Sequence, residues 1–115
     1  MVKSILTASG LPFRRSNFRK PPAGAYAVFF DNVTVSGPDR IAPSAAAGLP
    51  RVYAHDAIVE IYAPDASTIK AAEAAFEASI DAQGIPWNKQ DRIWIRSEQI
   101  YETVYDFSFT EKRRT

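Results

Sequence analysis

Apolar residues along this chain fall into one helical period, two alternating runs and one run that is apolar on both faces. In Ser67–Gln83, STIKAAEAAFEASIDAQ, Ile69, Phe76 and Ile80 share a stripe at a spacing of about 3.6 residues, flanked by Ala72 and Glu73. The segment predicts an amphipathic helix around which the rest is organised. Asp65 or Ser67 can cap it, since either side-chain oxygen can accept from an unpaired N–H of the first turn. Gly84 is the expected left-handed stop, and Pro86 prevents a restart. Lys70, Glu77 and Asp81 form a polar ridge beside the stripe. The remaining side is nearly all alanine: Ala71, Ala74, Ala75, Ala78 and Ala82. Helix propensity alone explains such a face. It also offers a second packing surface, because methyl groups let a neighbouring subunit's backbone come close.

Arg51–Tyr62 alternates as a strand, with Tyr53, His55, Ala57, Val59 and Ile61 on one face and Ala54, Asp56, Ile58, Glu60 and Tyr62 on the other. Ile100–Thr110 does the same: Tyr101, Thr103, Tyr105, Phe107 and Phe109 oppose Glu102, Val104, Asp106 and Ser108. Tyr26–Asp31, YAVFFD, is apolar on both faces and predicts a strand that is central or covered twice. Asp91–Ile95 predicts a fourth strand. Gly84–Gln90 reads as a turn, with Trp87 as a lid over the core edge. Val2–Ser9 predicts a short helix with Val2, Ile5 and Leu6 inward, closed by Gly10 and Pro12. Between these elements, Phe13–Pro22 reads as a loop anchored by Phe13 and Phe18. Residues 32–50, rich in Gly, Pro, Ser and Ala, read as a long mobile loop. The order is α-β-(long loop)-β-α-β-β. It predicts one α+β domain over 1–115: a mostly antiparallel four-stranded sheet against one main helix and a short N-terminal one.

Charge changes this picture more than composition does. The formal net charge is +1, but residues 1–20 hold five basic side chains and no acid, whereas residues 21–110 hold six bases against twelve acids. The last five, 111–115, carry three bases and one acid, a basic tail. Basic ends on an acidic body are either solvated or a footprint for nucleic acid, and Phe13 and Phe18 among Arg14, Arg15, Arg19 and Lys20 fit the second reading. The absence of cysteine excludes disulfides, thiolate zinc and a thiol nucleophile. No apolar run is long enough to span a membrane, and MVKSILTASG is too short in its apolar part for a secretory signal. His55 is the one histidine, and Asp56 and Glu60 leave its strand on the opposite face. The carboxylates Glu60, Glu73, Glu77 and Asp81 could pair as acid and base, but most carboxylates at such positions are solvated, and they are read so here. No catalytic constellation, metal set or cofactor motif stands out, so an enzyme is not expected.

From His55 onward, HDAIVEIYAPD is followed by a capped helix, a Gly-Ile-Pro turn and RIWIRSEQIYETVYDFSF. This run resembles the tail-terminator (tail-completion) family of minor tail proteins of long-tailed bacteriophages and prophages. The features carrying the resemblance are Glu60-Ile61-Tyr62 closing a strand before an acidic helix, and a last strand opening at Tyr101-Glu102 and ending Tyr105-Asp106-Phe107. The family commonly has leucine at Ile61 and glutamine at Glu102. The first helix with Gly10-Leu11-Pro12 and the YAVFF strand also fit; residues 32–50 and the tail lie outside.

The resemblance implies a protomer that closes into a ring, typically a hexamer. The ring caps the finished tube, halts addition of the major tail tube protein and offers the surface that joins head–tail connector proteins, with DNA later crossing its lumen. It implies a place at the head-proximal end of the virion tail after assembly in the host cytoplasm, with no cofactor, metal or membrane. Candidate subunit contacts are the alanine face (Ala71, Ala74, Ala75, Ala78, Ala82) and Phe29 of the YAVFF strand. Arg14, Arg15, Arg19 and Lys20 are candidates for the DNA path or the rim. Alternatives are a head-completion or connector adaptor of the same joint, and a small nucleic-acid-binding module using residues 14–20.

Overall fold

The computed structural model describes residues 1–15, 21–36 and 50–114. Their elements are α1 (Val2–Ser9), β1 (Phe13–Arg15), β2 (Tyr26–Ser36), β3 (Pro50–Ala63), α2 (Ala66–Ala82), β4 (Trp87–Lys89), β5 (Ile93–Ile95) and β6 (Ile100–Arg114). Asp65 begins α2 by accepting from the Thr68 N–H at 2.8 Å. Ser67 reinforces that cap, since its hydroxyl donates to Asp65 at 2.9 Å and leaves the capping to it. Gly84 (φ 68°) and Gly10 (φ 78°) take up the left-handed backbone that ends α2 and α1.

The sheet has six strands in the order β1-β2-β3-β6-β4, with β5 also paired to β6. It is mixed: β1 runs parallel to β2, and every other pairing is antiparallel. Four antiparallel strands were expected, and the two extra ones are three residues each, too short to show an alternation. β1 falls inside the segment read as the Phe13–Pro22 loop, and β4 inside the Gly84–Gln90 turn. The strand read as Tyr26–Asp31 continues to Ser36, because Asn32-Val33-Thr34-Val35 alternates and pairs with β3 as far as Val52. The rest of the expected loop, 37–49, lies outside the described residues, as do Phe18, Arg19 and Lys20.

β4 and β5 form one interrupted edge strand. Lys89 faces Tyr105 and Ile93 faces Glu102, so Gln90, Asp91 and Arg92 stand opposite only Thr103 and Val104. Three residues against two make a bulge, which re-aims a side chain. The Gln90 N–H still reaches the Val104 carbonyl at 2.9 Å.

Both helices pack on one face of the sheet. Val2, Ile5 and Leu6 of α1 and Ile69, Ala72, Phe76 and Ile80 of α2 meet Ala27, Phe29, Val59, Ile61, Tyr105 and Phe107. Phe76 lies 4.7 Å from the Tyr105 ring and 6.3 Å from that of Phe107. Burying Phe76 or Ile80 contributes roughly 1.5–3 kcal/mol each. α1, too short to persist alone, is tied down by the Ser79 hydroxyl, which donates to the Ile5 carbonyl at 2.6 Å. No helix among the described residues is long and apolar enough to cross a membrane.

No described helix covers the opposite face. Of the two expectations for YAVFFD, the strand is central, paired with β1 on one side and β3 on the other, and among the described residues it is not covered twice: Ala27 and Phe29 point into the core, while Phe30 on the other side is 43% exposed.

Candidate interaction surface

The uncovered face is assembled by register. Phe30 of β2 stands directly across from Ile58 of β3, which in turn faces Asp106 of β6. Phe30 and Ile58 are each 43% exposed. They line a shallow depression of about 320 Å³ together with Arg15, Asp31, Asn32 and Asp56. Four carboxylates share this face: Asp56 and Glu60 on β3, Glu102 and Asp106 on β6. Asp56 accepts from the Ser108 hydroxyl at 2.6 Å, and Asp106 from the Asn88 amide at 3.0 Å. Both donors are neutral. Among the described residues no ion pair reaches any of the four.

At the end of this face nearest α2, Tyr62 lies between two of those acids. Its hydroxyl donates to Glu102 at 2.7 Å, and Glu60 is 3.3 Å away. One hydroxyl carries one proton, so the donor that serves Glu102 cannot also serve Glu60. Burial, followed by the hydrogen bond and charge of Glu102, pushes the Glu60 carboxyl above the usual range. The Tyr62 phenol is pushed up as well, by burial first and then by the two acids. Tyr26 stacks on Tyr62 with ring centroids 5.2 Å apart.

The core side of the sheet holds the opposite arrangement. Glu73 projects from α2 and is 3% exposed. Arg92, turned inward by the bulge, grips it with two parallel bonds, Nε to Oε2 at 2.8 Å and Nη2 to Oε1 at 2.7 Å. The Thr103 hydroxyl donates to Oε2, and Lys89 Nζ lies 3.1 Å from Oε1. Lys89 also reaches Glu77 at 2.8 Å, and the Tyr105 hydroxyl donates to that same Glu77 oxygen. Burial raises the Glu73 pKa, but the Arg92, Thr103 and Lys89 donors outweigh it and hold the group at about 2. Glu73 and Glu77, read from sequence as solvated, are therefore spoken for inside the protomer. Asp81, also read as solvated, is exposed and accepts from the Trp87 indole at 2.8 Å.

His55 is 7% exposed, stacked on Phe109 at 4.4 Å. Its Nδ1 lies 3.0 Å from both oxygens of Asp31 and its Nε2 is 2.7 Å from Glu111. The two acids sit at opposite edges of the ring and do not converge on a point as metal ligands must. Among the described residues no group of three or more acids, histidines or cysteines is placed to hold a metal ion.

The residues expected at subunit contacts divide. Ala71, Ala74, Ala78 and Ala82 lie on the exposed side of α2, and Ala75 is half-buried. Phe29 does not belong with them. At 3% exposure, inside the core and 6.1 Å from the Phe13 ring, it leaves nothing for a neighbour to touch. Of the basic candidates, Arg14 and Arg15 are exposed on the edge strand β1, whereas Arg19 and Lys20 fall outside the described residues.

From sequence the YAVFF strand is a candidate patch through Phe29 rather than Phe30, Glu60 reads as solvated, and Ile58, Asp56, Glu102 and Asp106 are not singled out. A signal for them existed: Phe30, Ile58 and Val104 are apolar residues on the side of each strand that carries the polar ones. The Glu73–Arg92 clamp had none, since it depends on a bulge that only the pairing register defines. The chain matches no protein-family model, and no curated protein matches it.

Proposed function

We propose that this chain acts by shape, as a tail-terminator protein: copies close into a ring, expected to be a hexamer, that caps a phage tail tube, stops its growth and joins it to the head connector in the virion. The observation that carries the reading is the Phe30–Ile58 pair, left open on a sheet face that no described helix covers. Exposed apolar surface rimmed by polar groups marks a contact to be covered by another protein. Among the described residues both helices lie on the other side, so neither of them covers that face against a neighbour. Two unlike patches per subunit are what a closed ring requires.

A nucleic-acid module is disfavoured by the acids on the open face. Arg14 and Arg15 border a surface carrying Asp56, Glu60, Glu102 and Asp106, and that surface repels a phosphate backbone. The test is electron microscopy of the purified protein mixed with cognate tail tubes. Rings seated on tube ends, and tubes that stop lengthening, are the expected result. A protein that stays monomeric beside tubes and leaves their ends growing overturns the reading.

A further inference from the structure

The open sheet face is apolar at its centre and carries its charges on two separate sides. Phe30 and Ile58 form the centre, directly opposite one another on β2 and β3. On one side lies β1, with Arg14 in register with Val28 of this face and Arg15 at the rim of the depression. On the other lie Glu102 and Asp106 of β6, with Asp56 and Glu60 of β3 beside them. We propose that this face closes on the same face of a second copy, as a two-fold dimer whose axis runs along the strands, over the seam between β2 and β3. The inference uses nothing of the ring reading and goes beyond it, to the state of the chain away from a tail tube.

The charge layout selects the occupant. Covering Phe30 and Ile58 takes water from the arginines on one side and from the acids on the other, and a charge desolvated without a partner is costly. A purely basic partner would match the acids and leave Arg14 and Arg15 facing like charge. A nucleic acid or an anionic membrane would match the arginines and be repelled by the acids. The occupant must present acids opposite β1 and bases opposite β6, around an apolar middle. A second copy of this face, turned over about an axis along the strands, presents that order.

The register fixes what meets. Turning the copy over exchanges the two sides of the sheet, so β2 lies over β3 of the second copy and β1 over its β6. Two sheets facing this way pack in the aligned arrangement, their strands within about 30° of each other. Phe30 and Ile58 share one row, so each Phe30 covers the other copy's Ile58. Arg14 shares a row with Val28, Glu60 and Val104, which sets it opposite Val104 of the second copy, between Glu102 and Asp106. Arg15, which donates a long 3.4 Å bond to the Asp31 carbonyl, reaches toward Asp106 and Asp56 of the second copy. Both arginines are exposed, and among the described residues neither enters an ion pair within the protomer. Guanidinium forks suit carboxylates two oxygens at a time, and the arginine stems can lie along the apolar pair. Every pairing occurs twice, as an isologous contact requires, and the contact stops at two copies.

The dimer is tested by analytical ultracentrifugation of the full chain at low salt over a wide concentration range, with circular dichroism as the check on folding. The wild-type chain should pass from monomer to dimer and grow no further. Reversing the basic side (Arg14→Glu with Arg15→Glu) or the acidic side (Asp56→Lys with Asp106→Lys) should each lower the dimer association constant roughly tenfold or more. Mixed in equal amounts, the two variants should pair with each other at near wild-type strength, since both halves of the mixed contact again join opposite charges. All four substitutions in one chain should restore the homodimer. Misfolded variants would do neither.

A wild-type chain that stays monomeric throughout overturns the proposal, as do assemblies that keep growing past two, because growth requires a head-to-tail contact. Two-site variants that dimerise like the wild type, or a mixture and a four-site chain that both stay monomeric, overturn it as well. The ring reading is decided separately on tail tubes. A chain that dimerises as expected and never caps them overturns the ring alone. Rings on tubes from a chain that is monomeric without them overturn the dimer alone.

Discussion

Glu73 and Glu60 are the same side chain on the two sides of one sheet, and their surroundings drive them in opposite directions. Glu73 faces the helix layer and collects Arg92, Thr103 and Lys89, so its carboxylate stays ionised down to about pH 2. Glu60 faces outward, finds a second acid and one tyrosine, and its proton is held more tightly than usual. Partial burial acts on both, and the supply of donors decides the outcome. A buried acid with every oxygen matched belongs to the protomer's own architecture. An acid pressed against another acid, with no cation, is a place where the protomer alone is not at its electrostatic optimum.

The sharpest way to break this comparison is to remove the donor that separates the two sites. Arg92→Met leaves Glu73 buried with Thr103 and Lys89 alone. Losing one partner of a buried pair costs about 3–5 kcal/mol, and the surviving Lys89 contact places this case near 3. The measurement is the urea midpoint at neutral pH. A loss below about 1 kcal/mol would mean that the clamp is solvated and the contrast with Glu60 is empty.

Acid titration reads the same clamp without a mutation. A carboxyl held below its unfolded value contributes stability that is fully present above about pH 4.5 and disappears as the pH falls toward about 2. A drop of that width corresponds to roughly 3 kcal/mol. In Glu73→Gln the fall in stability over this window should be much shallower than in the wild type. Parallel curves for the two proteins would assign the acid sensitivity to other carboxylates.

How far these sites can be read before the fold is known follows from the range of the interactions that make them. α2 is written in local spacing: Ile69, Phe76 and Ile80, the Asp65 cap and the Gly84 stop give its bounds to within a residue. The faces of β3 and β6 are equally plain, because alternation needs only neighbours along the chain. Nothing in that local pattern shows where β6 lies against the edge strand. The bulge at Gln90–Arg92 brings residues 73, 92 and 103 together, and only the pairing of β4 and β5 with β6 defines it. Phe29 and Phe30 make the same point. They are adjacent and identical in type, yet one is core and the other surface, and only the one-sided helix layer tells them apart. Asn32–Ser36 reads as loop from sequence because its Asn, Thr and Ser run on into the Gly- and Pro-rich stretch that follows, and two valines are too few to set an alternation apart.

The smallest expected effect is the most discriminating, because its sign is unusual. A carboxyl raised above its unfolded value is a site where the folded protein binds more protons. Its contribution to stability is therefore greatest below about pH 4.5 and declines as the pH rises through the raised value. At neutral pH the charged Glu60 works against folding. Glu60→Gln removes that charge, keeps the size, and gives Glu102 an amide donor within reach through Tyr62's neighbourhood on the same face. The protomer should gain a few tenths of a kcal/mol at pH 7, the scale of a relieved cross-strand repulsion, and gain nothing at pH 4. Most substitutions of a half-buried polar residue destabilise. A gain confined to neutral pH would thus identify Glu60 as an acid not optimised for the isolated protomer. Loss of stability at both pH values would show instead that Glu60 is as well served by its surroundings as Glu73.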